Sequence, residues 1–437
     1  MSRHSSIVLA VSLILCGFSA LLPPRAPAQI AYEDEPISYM NGSLQNPVAD
    51  LQQKLASGST HLERDPRVGY LASLLRTLGV EVESQMLVFS KTSFQLRLIS
   101  PSSPRAVYFN DDTYVGYVPG GEVLEISVAD PQRGAVFFSL DQSSGKITRH
   151  THECLQCHAS SVTQNVPGHV VRSVFPDREG HPVLRAGSFV TTPESPFSER
   201  WGGWYVTGTH GQQRHMGNVT IDRGGDESSL DRNAGANLTD LSKRLELKNY
   251  LAAHSDLVAL MVLEHQTHVH NLITAANYQA QRALYDEDVM NKMLGRTGPE
   301  HSPSTLRRIA NSAEKLVEGL LLCRETALES PVRGTSGFAA NFAGRGPRDT
   351  RGRSLRELDL QRRLFRYPCS YLVYSQSFLG LPPVMKERVL GRIKDIVNSP
   401  PATDAFAHLS ADDRAAIREI LTDTHPEFAT AVASPKG

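Results

Sequence analysis

The sequence predicts an α+β protein, with a strand-rich N-terminal half and a helical C-terminal half. Two observations carry this expectation. Residues 86–140 hold short β-branched or aromatic runs separated by turn residues. Beyond a Gly-, Asp- and Ser-rich connector at 217–236, the apolar spacing becomes helical. A third observation bounds the answer: 437 residues at 40% hydrophobic and 21% charged form a chain able to bury a large core, which excludes a disordered protein. Lys and Arg number 45 against 46 Asp and Glu, so bulk charge gives no reason to expect nucleic-acid binding.

The chain starts with a basic Arg3 and His4, then an apolar run from Ile7 to Leu22 broken by Pro23 and Pro24. Ala26-Pro27-Ala28 fits the small-x-small rule, so residues 1–28 read as an export signal cleaved before Gln29. The run is too short for a membrane span. No span is therefore expected in the mature chain, and a periplasmic or otherwise exported location is. Leu15 before Cys16 disfavours a lipid anchor. Loss of Arg3 and Arg25 would take the net charge from −1 to −3.

Residues 29–60 are polar and read as an extended lead-in, and 65–78 have helical spacing. Strands are expected at 86–89, 94–99, 106–109, 114–118, 123–128 and 135–140, closed by turns at Pro101, Asp111-Asp112, Pro119-Gly120-Gly121 and Asp130-Pro131. Residues 170–175, 183–190 and 204–207 also look extended. Ser255 is suited to cap a long helix to about Tyr285, and Ser302-Pro303 to start a second to about Leu328. Residues 331–353 read as a Gly- and Arg-rich loop. Pro382-Pro383 precede a helix to Asn398, and Ser410 with Asp413 opens the last one. This gives a leader at 1–28, a strand-rich domain at 29–236 and a helical domain at 237–437.

His152-Glu153-Cys154-Leu155-Gln156-Cys157-His158 contains CxxCH, the attachment signature of c-type haem. Two thiols one helical turn apart can form thioethers to the two vinyl groups on one edge of the porphyrin, and the next histidine can bind the iron. The candidate cofactor residues are therefore Cys154 and Cys157 for one covalent haem c, with His158 as the proximal iron ligand. A thioredoxin-type pair or half a zinc site are the other readings of CxxC. The first belongs at a helix start in a βαβ unit, and the second needs two further ligands that Cys323 and Cys369 do not offer at close spacing. Met216, 58 residues after His158 and followed by Gly217, is the candidate distal iron ligand. His210, His215, His169 and an open sixth position are the alternatives.

The sequence resembles uncharacterised exported bacterial proteins described as cytochrome c domain-containing. The resemblance runs through Pro104 to Asp112, Cys154 to His158, Ser198 to Gly211, His215 to Asn218, Leu263-Glu264-His265-Gln266 and Tyr367 to Tyr371. It implies haem binding and electron transfer on Cys154, Cys157 and His158. The family supplies no enzymatic role.

The long helix would place His254, Met261, His265 and His268 in one stripe, with Glu264 at its edge. These could face a haem or move protons, or simply bond to neighbours. Between Val332 and Arg366 stand 9 arginines against 3 acids, either a docking face for an acidic partner or a solvated surface. Cys323 and Cys369 are the one remaining pair able to form a disulfide. The first functional reading is a periplasmic monohaem c-type cytochrome that exchanges electrons with a redox partner protein. The alternative is a haem-dependent, peroxidase-like oxidoreductase with a substrate site near the His-rich helix.

Overall fold

A computed structural model describes residues 32–298, 300–399 and 404–431. The expected export signal lies outside the described residues. The α+β expectation holds. Strands β1 (Met86–Val88), β2 (Arg105–Phe109), β3 (Thr113–Tyr117), β4 (Val123–Asp130), β5 (Gly134–Asp141) and β6 (Ile147–His150) form one antiparallel meander in that order. Alternation sets its two faces. Tyr108, Val115, Ile126 and Phe138 lie opposite one another in register and pack under helices α1 (Pro47–Ala56) and α2 (Leu71–Thr77). The other face carries a second row, Phe109, Tyr114, Ser127, Phe137 and His150, each opposite the next.

Two elements here differ from the sequence reading. Helix α1 stands where an extended lead-in was expected; Asn46 Oδ1 caps it by accepting from the Ala49 amide, and Pro47 occupies the first turn. Residues 94–99 form no strand. β1 pairs directly with β2, so this segment is their connection and has no partner edge; it closes as a 3₁₀ turn at Leu96–Leu98.

Beyond α3 (Leu155–His158) come two short pairings. β7 (Arg172–Val174) meets β8 (Ser188–Val190), and β9 (Gly208–Thr209) meets β10 (Arg333–Gly334). The helical half is built on α4 (Leu257–Met293) and α5 (Pro303–Leu320), with the short α6 (Phe338–Gly344) and α7 (Gln376–Leu379). It closes with α8 (Pro383–Asn398), α9 (Ala411–Thr424) and α10 (Pro426–Thr430). The caps at Ser302 and Ser410 form as expected, the latter as a reciprocal box with Asp413. The cap of α4 is Asp256, one residue later than expected, because the Ser255 hydroxyl is taken by the Tyr205 carbonyl and the Leu87 amide. The helix also runs eight residues past Tyr285.

One apolar core crosses position 236. Val88, Phe109, Tyr114 and Trp204 pack with α4, α5 and α8, so the expected boundary between 236 and 237 does not separate two cores. No helix among the described residues is long and apolar enough to cross a membrane.

Candidate functional site

The CxxCH segment forms one helical turn directly after β6. The His158 amide donates to the Cys154 carbonyl at 3.0 Å, and Leu155 is buried in the sheet-side core. Both cysteines are free thiols, Cys154 half-buried and Cys157 exposed. Burial, then the nearby carboxylates of Glu125 and Glu153, push the Cys154 thiol up to about 11. A dithiol redox pair needs the opposite shift. Two free thiols one helical turn apart are consistent with thioether formation. Among the described residues, the grouping of three His, Cys or carboxylate ligand atoms within 4.8 Å is Asp177, Glu179 and His181, which excludes both cysteines.

His158 is aimed by its other nitrogen. Nδ1–H donates to the Gly168 carbonyl at 2.9 Å, which leaves the lone pair on Nε2. Burial lowers its pKa, favouring the neutral, ligating form. The ring lies on Phe137, with centroids 4.8 Å apart. Phe137 belongs to the second sheet row, so the β4–β5–β6 register sets the floor under the imidazole. Two exposed apolar side chains flank the motif: Phe94, 67% exposed, has its ring 6.2 Å from that of His150, four residues before Cys154, and Val162 follows His158 by four residues. The Gln95 amide holds the turn after Phe94 against Glu125 and the Val123 carbonyl. Exposed apolar side chains beside two free thiols and an aimed imidazole fit an apolar planar macrocycle.

Cys154, Cys157 and His158 are thus brought together. Met216 is placed elsewhere. Its side chain is fully buried in a satellite cluster with Phe175, Val219, Ile221 and Leu230, and its Sδ accepts from the Ser173 hydroxyl at 3.5 Å. None of those contacts belongs to the 154–158 segment. His210 uses both nitrogens, Nδ1–H on the Gln213 carbonyl and Nε2 accepting from the Asn237 amide. His215 Nδ1 accepts from the Gly217 amide. His169 Nε2 pairs with Ser127 Oγ at 2.9 Å.

The His stripe of α4 disperses among neighbours. His254 bonds to the Glu83 carbonyl and His265 to Ser370 Oγ. Clefts of about 590 Å³, with Arg351, Arg362 and Asp413 in its wall, and about 370 Å³, with Tyr205 and Arg244, have no lining residue from α4. Of the nine arginines between 332 and 366, Arg333, Arg348, Arg351, Arg362 and Arg366 are exposed, while Arg353 pairs with Asp349 and Glu419, Arg356 with Asp111, and Arg363 with Asp413. Cys323 and Cys369 are both buried free thiols.

Contacts that sequence spacing did not signal meet on two successive turns of α4. Glu264 receives Arg200 and Trp201 Nε1; burial pushes its carboxyl up to about 8, with the guanidinium and the indole N–H drawing it back only in part. Gln266 Oε1 accepts from the Tyr371 hydroxyl, and its Nε2 donates to the Asn110 carbonyl and to Tyr114 Oη. The Tyr114 proton then turns to His270 Nδ1 at 3.0 Å, leaving the imidazole N–H on Nε2, 3.9 Å from Asp112 Oδ1. Four separated sequence blocks converge here, and chain separations of 63 to 156 residues hid the convergence.

Burial, then Asp111, push Asp112 up to about 7. In the unfolded chain it titrates near 4. As pH rises between these values the unfolded state ionises first, so the group's stabilising contribution is complete below about 4 and lost through about 7. Asp112→Asn is expected to stabilise the protein at pH 8, by at most about 4 kcal/mol, and to be near neutral at pH 4. Denaturant melts at both pH values check this; equal effects at the two would exclude it.

No family model, no curated protein and no solved structure matches the chain, so the reading of this site rests on its own residues.

Proposed function

We propose that the chain is an exported, periplasmic c-type cytochrome that holds one haem covalently through Cys154 and Cys157, with His158 as proximal ligand. Bound haem would supply a one-electron iron(II)/iron(III) couple, and the function is electron transfer with a redox partner protein. The observation that carries the reading is the His158 geometry within CxxCH: Nδ1–H is fixed on the Gly168 carbonyl and the Nε2 lone pair is free, one residue after two unpaired thiols. Cys154 and Cys157 would tie the macrocycle and His158 would bind the iron. A second axial ligand needs a free lone pair. His210 has none, and Met216 would have to leave its cluster. The peroxidase-like alternative, with its substrate site near the His-rich helix, loses His265 of α4, which is buried and bonded to Ser370.

The test is retention of haem. Protein produced with its export signal and c-type maturation machinery, denatured and extracted with acidified organic solvent, should keep its haem on the polypeptide. Cys154→Ala/Cys157→Ala should lose it. Haem that washes out of the wild type, or a wild type without haem, overturns the reading.

A further inference from the structure

We infer that Asn271, on α4, is a positioning residue for His158 that acts through the Gly168–His169 peptide. The inference rests on the haem reading and adds what tunes that site.

His158 and Gly168 are bonded both ways: the imidazole Nδ1–H donates to the Gly168 carbonyl at 2.9 Å, and the Gly168 amide donates to the His158 carbonyl at 2.8 Å. The next amide is gripped from the helical half. The His169 N–H donates to Asn271 Oδ1 at 2.9 Å, and Asn271 Nδ2 donates to the His169 carbonyl at 2.8 Å. Only this orientation of the carboxamide pairs both its ends. Asn271 is buried, and its carboxamide bonds at both ends to this one residue. A buried amide on a helix is costly unless satisfied, so the site has a built partner.

The Gly168 C=O and the His169 N–H belong to one peptide group. A hydrogen bond accepted by Asn271 at the nitrogen end draws density toward the oxygen end, and the oxygen becomes a stronger acceptor for His158. A stronger acceptor on Nδ1–H makes the imidazole a more basic ligand, which favours iron(III). Contact is close enough to leave no slack. A Cβ at residue 168 would lie 2.3 Å from Asn271 Oδ1 and 3.0 Å from Thr163 Cβ. The His169 ring is held on its far side by Ser127 of the sheet. The segment that aims His158 is thus clamped between β4 and α4.

Reduction potentials of haem-loaded wild type, Asn271→Ala and Asn271→Asp test the inference. Asn271→Ala should shift the equilibrium about tenfold toward iron(II), a rise of about 59 mV, with haem content unchanged. Asn271→Asp keeps an acceptor on the His169 amide and should not raise the potential. A role in folding alone would move both variants alike, and that result, or an unchanged potential in Asn271→Ala, overturns the clamp. Two readouts need neither haem nor a folded variant. In haem-free wild type the His169 amide should be protected from hydrogen exchange, and ¹⁵N shifts should report a single Nδ1–H tautomer of His158. Rapid exchange or mixed tautomers overturn the clamp. A wild type that never carries covalent haem overturns the functional reading instead, and is distinguishable by these same measurements.

Discussion

Glu264→Ala is expected to destabilise the protein by about 3–5 kcal/mol, the cost of leaving one member of a buried ion pair without its partner. Arg200 and Glu264 have side chains only 3% and 2% exposed, so solvent would not screen the abandoned guanidinium. Arg200 would keep its bonds to the Ser195 and Pro193 carbonyls, and Trp201 Nε1 would lose its acceptor. Glu264→Gln should cost less, because an amide oxygen still accepts one of the two donors. Urea denaturation of both variants measures the difference. A loss below about 1 kcal/mol for Glu264→Ala would mean that the pair contributes no more than an exposed one. Because Arg200 and Trp201 precede the turn that holds Met216, this pair also anchors that turn to α4: the Met216 amide donates to the Arg200 carbonyl.

Met216→Ala is expected to cost about 2–5 kcal/mol, the range for emptying a fully buried methionine site. The satellite cluster is small, with Phe175, Val183, Val219, Ile221 and Leu230 around the thioether, so it has few side chains with which to collapse into the void. In haem-loaded protein the visible spectrum and potential should stay at wild-type values, since the sulfur faces Ser173. Loss of a sulfur-to-iron band, a lower potential and new carbon monoxide binding in Met216→Ala would instead make Met216 the distal ligand. Thermal melts and redox titration of the same sample separate the two outcomes, because a core residue moves the first and a ligand moves the second.

Much of the architecture was legible because its signals are local. A Ser or Asn side chain reaches an amide two or three residues on, and proline fixes its own φ, so α5, α8 and α9 start where Ser302-Pro303, Pro382-Pro383 and Ser410 indicate. Five of the six expected strands between 86 and 140 form, each bounded by its turn residues. The failures have identifiable causes, not all of them local. The 94–99 run has strand composition and no free edge to pair with, and the α1 sequence PVADLQQKLA is short enough for its cap at Asn46 to decide it. The Ser255 cap was lost to a tertiary competitor, the Tyr205 carbonyl fifty residues away.

By itself the sequence determined the α+β class, most element starts and the presence of two thiols and an imidazole on one helical turn, since all of these depend on residues within four positions of one another. Tertiary structure alone decided what surrounds that turn. The β4–β5–β6 register put Phe137 under His158 and Ser127 beside His169, and a one-residue slip would have turned both to the opposite face. Packing of α4 brought Asn271 to residue 169 and Glu264 to Arg200, and it drew His265 into the core. Met216 shows the same limit: its spacing from His158 is a property of the chain, while the direction of its sulfur follows from which apolar side chains close around it. Hydrogen bonds and burial between segments tens to hundreds of residues apart set these placements, and no periodicity along the chain encodes them.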